Sequence, residues 1–519
     1  MTNHTSMLVA PSILAPSTVN HVNANGAALL STMVVALVAS LAMGLLRRQK
    51  VGATDGSLAS IPPYTPITYP FLGSLQYFFG HWDFLKTAAE KGSVSFHLAS
   101  HKCIALSLET RQAFFSDFKT DSALGYAIML AGTPNLSKDF MKAVGIDVTL
   151  GGRSYKYLTA LIRKERVITN MPILYAYAYT QMGGLAGTTI DPFDTFREVI
   201  FRLTVNTTTS LNVAADPDAC NALLKIFHGL DLAATPVTVL FPWFFGPDRM
   251  RRFYLMKQFY NTIRNTINER KLKGRNDDDP MQFLIDEGLS TIEITQFAIA
   301  VLFTGNANTA VIAPALVCDL ATHPSYLSQV REEIEAFISL FNADTSLPLK
   351  TRIQTIAYDE WIRPGAFPIM ERCLKETIRL RVGTPLHRLN HTDKDIQMGS
   401  VIVPPGTIAS FHTSFVHHNE DIFTAPFEWD PERFTQGREE DKKSPMAFVG
   451  WGVGRHPCLG QKFATFETFL LTALTVMLYD IEVVDQHGKG LIEMPPVDLN
   501  NPVVSPPPTP VHLKLSARA

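Results

Sequence analysis

The sequence predicts a mainly α-helical fold with small β-sheets, preceded by one N-terminal transmembrane helix. Three observations predict it. Residues 27–46 (AALLSTMVVALVASLAMGLL) carry no charge. Apolar residues recur at spacings of three and four through the middle of the chain. Residues 395–411 (DIQMGSVIVPPGTIASF) change to alternation broken by Gly and Pro. Composition agrees: 46% of the 519 residues are apolar and only 18% are charged, which excludes a disordered chain. Forty-six Lys and Arg against 48 Asp and Glu leave a formal charge of −2, so there is no basic footprint for nucleic acid. The five cysteines, Cys103, Cys220, Cys318, Cys373 and Cys458, form no CxxC pair, which excludes a zinc ribbon and a disulfide scaffold.

The elements follow in order. At about 1.5 Å per residue, a helix over 27–46 spans about 30 Å, the thickness of a bilayer's hydrocarbon core. Residues 1–26 contain no Lys or Arg, whereas Arg47, Arg48 and Lys50 follow the apolar run directly. Positive charge stays cytoplasmic, so 1–26 reads as a short lumenal tail and the rest as cytosolic. A cleaved signal peptide would place its basic residues before the apolar run. Asn3-His4-Thr5 is a glycosylation sequon on the lumenal side, while those at Asn135, Asn206 and Asn390 should stay bare. Residues 47–70 form a basic and Pro-rich hinge, with four prolines in PPYTPITYP at 62–70. Residues 71–519 then read as one mixed globular domain.

Within that domain, residues 155–182, 193–213 and 249–271 read as amphipathic helices. Residues 291–323 are apolar on nearly every side, which predicts one long helix through the core. His323-Pro324 ends it and begins another helix, and 367–381 is one more. A final helix runs from about 459 to 478, and the tail 494–510 is Pro-rich and irregular.

Chemistry concentrates at Phe448-Val-Gly-Trp-Gly-Val-Gly-Arg-His-Pro-Cys458-Leu-Gly460. A thiol at a helix N-terminus is pushed toward thiolate by free N–H groups and the local positive potential. Glycines let the backbone approach something flat and bulky. A thiolate in such a loop is what an axial cysteine ligand to haem iron requires. Glu376 and Arg379, three apart on a predicted helix, share a face. Pro431-Glu432-Arg433-Phe434 lies between them and Cys458, and Gly305-Asn-Ala-Asn308-Thr309 lies in the core helix. Each is weak alone; their order and spacing together are specific.

These residues resemble the cytochrome P-450 superfamily of haem-thiolate monooxygenases, of the microsomal type, over about residues 60–515 and the anchor. The resemblance implies a helical prism with small sheets, a haem-thiolate catalytic domain over 71–519, and haem b between the core helix and the Cys458 loop. Cys458 is then the metal ligand to the haem iron. Glu376, Arg379 and Arg433 form a buried structural network, and Trp451 packs beneath the haem. His456 serves a propionate, as the ligand loop's likeness to sterol 14α-demethylases suggests, and Arg388 is the propionate partner that follows the Glu376 helix, with a lesser contribution from the 163–166 cluster. Pro457 has no N–H, so the donors to the sulfur are expected from Leu459 and Gly460.

The core helix departs from the family pattern. Aligned on Phe303-Thr304-Gly305, the acid and the alcohol that deliver protons are replaced by Ala307 and Asn308, a run similar to that of sterol 7α-hydroxylases. Asn308 and Thr309 are the catalytic candidates, with Asn308 organising a water chain. The alternative is an isomerase or dehydratase acting on a lipid hydroperoxide or endoperoxide without a reductase. A capped or backbone-bonded Asn308 at a helix kink is the structural alternative.

The substrate pocket is expected to be apolar, roofed by residues 115–140 with Phe114, Phe115, Phe118 and Tyr126, and lined by Ala300, Phe303, Thr304, Ala307, Thr384 and Leu386. A terpenoid, sterol, polyketide or fatty acyl chain fits a membrane-anchored enzyme. The stretch TPVTVLFPWF at 235–244 resembles fungal members and favours specialised metabolite biosynthesis. By the same resemblance, electrons come from NADPH through a separate flavoprotein, the NADPH-cytochrome reductase, docked on Arg163, Lys164, Arg166 and Lys462 at the endoplasmic reticulum membrane.

Overall fold

The computed structural model describes residues 59–65, 69, 71–90, 92–135, 150–274 and 278–518. The tail, the anchor, the Asn3 sequon and part of the hinge lie outside the described residues.

Helices dominate. Those that frame the site are α1 (Ser122–Met129), α2 (Lys164–Met182), α3 (Pro192–Thr208), α4 (Pro247–Lys273), α5 (Thr291–Asn306), α6 (Thr309–Thr322), α7 (Pro324–Ser339), α8 (Pro368–Arg381) and α9 (Gln461–Leu478). Local chemistry sets their starts. Pro192 opens α3 behind Asp191, whose carboxylate accepts from the Phe193 and Asp194 N–H groups. Ser290 and Glu293 close a reciprocal capping box at α5, with the Ser290 N–H 2.8 Å from the Glu293 carboxylate.

Three expected helices are divided, the 193–213 run into α3 and a short helix at Leu211–Ala215 that starts behind Ser210, whose hydroxyl accepts from the Val213 N–H. The 155–182 run splits between a helix at Leu150–Leu161 and α2, because Arg163 takes an extended conformation (ψ 144°). No residue type announces this break. The core run splits into α5 and α6 at Ala307 and Asn308. Both residues keep right-handed helical angles, so the division is an interruption within one path. The combined Thr291–Thr322 path is long and apolar enough to cross a membrane, but 72% of its most apolar stretch is buried inside the protein, as a core helix requires.

Three sheets are segregated from the helices. Strands β1 (Val94–Leu98), β2 (His101–Ala105), β4 (Pro385–Leu389) and β7 (Thr407–His412) form one in the order β1-β2-β7-β4. Its β2–β7 pair is parallel and the others antiparallel. Strands β5 (Ile396–Met398) and β6 (Val401–Val403) make a hairpin. Strands β3 (Thr188–Ile190), β8 (Tyr479–Asp485) and β9 (Val511–Ala517) form the third, in the order β3-β9-β8. The sheet expected at 395–411 is therefore a hairpin plus one strand of a larger sheet, whose first two strands lie three hundred residues upstream.

The largest core cluster joins α2, α3, α6, α7, α8 and α9 with β8 and β9, so the helix after Cys458 is buried on every side from Phe466 to Val476. Asn206 and Asn390 are fully buried, and Asn390 donates to the Lys394 and Val403 carbonyls at 2.8 Å each. Burial alone keeps both sequons bare in the folded chain.

Candidate active site

Hydrogen bonds fold the Cys458 loop back on itself. The Gly452 N–H donates to the Val449 carbonyl at 2.9 Å, and the Cys458 N–H to the Trp451 carbonyl at 2.6 Å. Gly452 and Gly454 have φ of +67° and +66°, where side chains are strained. A Cβ on Gly452 would lie 2.3 Å from the His456 carbonyl oxygen, and one on Gly454 2.5 Å from that of Phe115. These two glycines serve the loop's own turns and its approach to Phe115, not the approach of a flat ligand expected from sequence. Gly460 differs, since a Cβ there would meet nothing within 4 Å.

Cys458 is exposed as a residue, whereas the other four cysteines are buried. Nearby protein still raises its thiol pKa by desolvation, opposed by N–H donors from Gly460 and Gln461. Gln461 replaces Leu459 as the second donor. It is the first residue of α9, where backbone N–H groups have no partner within the helix.

Glu376 and Arg379 on α8 meet in a two-point pair, Nε and Nη2 each 2.8 Å from the carboxylate, and Arg433 Nε lies 2.9 Å from the same group. All three are at most 1% exposed. Arg379 also donates to the His417 carbonyl (2.6 Å) and the Pro426 carbonyl (2.7 Å), and Arg433 to those of Ala425 (2.9 Å) and Glu428 (3.0 Å). A buried ion network survives only when its remaining donors are satisfied in this way.

Arg388, on β4, is buried over the Phe114 ring, with its guanidinium 4.0 Å from the ring centre, and donates to the Phe114 carbonyl. Burial pushes its pKa down to about 10. His456 Nε2 lies 2.7 Å from the Asp117 carbonyl, close enough to Arg388 for that charge to help hold the imidazole pKa low after burial. The two residues expected at one end of the site are thus together. Because a carbonyl only accepts, Nε2 carries the proton, and in the neutral ring Nδ1 is bare. Phe114 and Phe115 pack with Phe411 in a core cluster and wall Arg388, rather than roofing a pocket; Phe118 is exposed and Tyr126 sits against His387. Lys164 pairs with Asp359 (2.7 Å) and Arg166 with Asp278 (3.4 Å), so these two cations of the 163–166 cluster face surface acids instead.

Along α5 and the interruption that follows it, residues 292, 296, 300, 304 and 308 are exposed in steps of four, with Phe303 and Ala307 half-buried beside them. From Thr309 to Leu320, α6 is buried on every side. The Thr304 hydroxyl bonds back to the Ala300 carbonyl at 3.0 Å. Asn308 makes no capping bond with its side chain, so the reading of a locally capped amide does not hold, while its neighbour Thr309 is buried. Thr384 and Leu386 are half-buried and alternate with the buried Pro385 and His387. Trp451 is half-buried against the largest core cluster.

The residues present fit a haem. An exposed cysteine with two N–H donors to its sulfur, open space at Gly460, a nearby pair of basic side chains and an exposed line on an otherwise buried helix are what the group requires. Comparison with known proteins agrees. The cytochrome P450 family matches residues 177–513, more than half of the chain, and the protein belongs to that family. It is 28% identical over 461 residues to the cytochrome P450 monooxygenase AacuE of Aspergillus aculeatus, covering 86% of this chain and 91% of that one. It is 26% identical over 445 residues to the monooxygenase nsrP of Aspergillus novofumigatus, covering 82% and 85%. A sterol 14-demethylase of Arabidopsis thaliana is 27% identical over 290 residues, 54% of this chain and 55% of that one. Among solved structures, a retinoic acid bound cyanobacterial CYP120A1 superposes with a TM-score of 0.67 at 18% identity, covering 89% of this chain and all of the other, a likeness of fold. The chain is an oxidoreductase of the monooxygenase class, and haem iron is its family's cofactor.

Sequence reasoning missed His417. Its carbonyl accepts from Arg379, while its Nε2 accepts the Val449 N–H at 3.1 Å. A lone histidine thirty-two residues before its partner carries no signal in a single sequence.

Proposed function

We propose that this chain is a membrane-anchored haem-thiolate monooxygenase that inserts one oxygen atom of O2 into an apolar substrate of terpenoid, sterol, polyketide or fatty acyl type, in specialised metabolite biosynthesis. The observation that carries the reading is the exposed Cys458 with two N–H donors to its sulfur at the start of α9. Haem b bound there supplies O2 activation, with the thiolate's electron density favouring O–O cleavage. Cys458 holds the negative charge, and the Gly460 and Gln461 N–H groups stabilise it. Arg388 and His456 face the propionates, and Trp451 supports the proximal side. Phe303, Thr304, Ala307 and Thr384 line the substrate side and exclude water. Electrons come from NADPH through a separate flavoprotein, the NADPH-cytochrome reductase, for which the exposed Lys462 beside the ligand loop is a contact. The single N-terminal span places the catalytic domain on the cytosolic face of the endoplasmic reticulum.

Asn308 is the proton-handling residue, with Thr309 beside it. Its uncapped amide on the exposed line holds a water at the helix interruption, in place of an acid and alcohol. The missing acid is also what the second reading rests on, rearrangement of a lipid hydroperoxide or endoperoxide without reductase. Microsomes with reductase separate the two. Substrate-dependent NADPH consumption supports oxygenation, with Asn308→Ala raising peroxide formed per product. Turnover of a lipid hydroperoxide without NADPH supports the second reading, and unchanged coupling in Asn308→Ala removes Asn308 from proton handling.

A further inference from the structure

We propose that His417 is a positioning residue that pins the start of the Cys458 loop to the buried Glu376–Arg379–Arg433 network, and that thiolate ligation by Cys458 depends on this pin. The proposal rests on Cys458 being the iron ligand. His417 is fully buried between the two. On the network side, its carbonyl accepts from Arg379 Nη1 at 2.6 Å. Its ring Nδ1 lies 3.3 Å from the Val382 carbonyl, just past the end of the helix that bears Glu376 and Arg379. On the loop side, Nε2 lies 3.1 Å from the Val449 N–H, and the ring stacks on Phe448, centroids 5.4 Å apart and planes 27° apart.

These contacts fix the ring's state. The Val382 carbonyl only accepts, so Nδ1 carries the hydrogen; the Val449 N–H only donates, so Nε2 is bare. One neutral tautomer satisfies both nitrogens, and a proton on Nε2 would set two N–H groups against each other. Burial, reinforced by the nearby His418 and Arg379 charges, pushes the ring's pKa down to about 3, consistent with that tautomer.

From Val449 the restraint has a route to the ligand. The Val449 carbonyl takes the Gly452 N–H, and the intervening Trp451 carbonyl takes the Cys458 N–H. Releasing Val449 frees the first rung of this ladder. Phe448 is held from a second side as well, with the Lys375 ammonium 5.1 Å from its ring centre and the Phe434 ring at 6.2 Å. Network and loop are therefore joined by one residue that offers a carbonyl, a donor, an acceptor and a ring face together.

The test compares two polar substitutions of different reach in the haem-loaded, reductase-free protein. In His417→Asn the amide extends only as far as Nδ1, so it keeps the Val382 contact and cannot reach Val449. In His417→Gln it extends to Nε2 and can accept from Val449. The expected result is that His417→Gln keeps the thiolate signature of the reduced CO complex. His417→Asn is expected to bind haem with unchanged far-ultraviolet circular dichroism but to show a several-fold larger non-thiolate share. Equal spectra for the two variants, or an Asn variant that does not fold at all, would overturn the proposal. Cys458→Ala serves as the separate control. If it retains the thiolate signature, the ligand assignment itself fails; if it loses the signature while His417→Asn keeps it, only the His417 role fails.

Discussion

Replacing Glu376 by Gln is expected to lower the unfolding free energy by about 3–5 kcal/mol, the cost of leaving buried charges uncompensated. The carboxylate is shared by Arg379 and Arg433, and Glu376 is 0% exposed. Gln keeps the shape and one acceptor but removes the charge that the two guanidiniums share. Bonds to backbone carbonyls supply the other contacts of both arginines, and Glu440 gives Arg433 a second carboxylate at 3.2 Å. Arg379 has no such second partner among the described residues, so Arg379 rather than Arg433 is left as the unpaired charge. Against a total stability of about 5–15 kcal/mol, such a loss is enough to deplete the folded protein. Denaturant titration of the purified protein measures it. A loss below about 1 kcal/mol, the size expected of an exposed pair, would mean that the network is not what joins α8 to the segment before the ligand loop.

The second large effect is with pH. Burial holds His81 neutral down to about 4 and His387, His417 and His418 down to about 3, and it lowers His412 well below the usual range. Above about pH 6.5 these rings are neutral in folded and unfolded chains alike, so they contribute no pH dependence. Below it, the unfolded chain binds a proton at each ring and the folded chain does not. Stability is therefore full above the unfolded pKa and lost as pH falls, by about 1.4 kcal/mol per pH unit for each ring. At pH 5 the four rings with assigned values together remove on the order of 8 kcal/mol. Steep acid unfolding is expected between about pH 6 and 4.5, with uptake of about five protons, one for each of the five rings. It is followed by circular dichroism across a pH series. Equal stability at pH 5 and pH 7.5 would contradict the burial of these histidines as neutral groups.

Much of the site was legible because its chemistry is local or follows a fixed order. Glu376 and Arg379 share a helix face, and the glycines around Cys458 mark a turn before a helix start. What remained illegible depends on distant contacts. Strands β1 and β2 join β7 and β4 from far upstream, and short strands of that kind carry little periodicity. Phe114 and Phe115 read as pocket residues until Arg388 and Phe411 are seen against them. The donor from Gln461 rather than Leu459 follows from the turn geometry after Pro457, which residue types do not specify. The interruption at Ala307 and Asn308 has no Pro or Gly at the break itself, so the long core helix looked continuous.

The central claim is that Cys458, as thiolate, ligates haem iron. The reduced CO-difference spectrum of the wild-type protein and of Cys458→Ala tests it most directly. The wild type is expected to show the thiolate signature, and Cys458→Ala is expected to lose it. A wild-type spectrum lacking that signature, or a Cys458→Ala spectrum retaining it, would contradict the account.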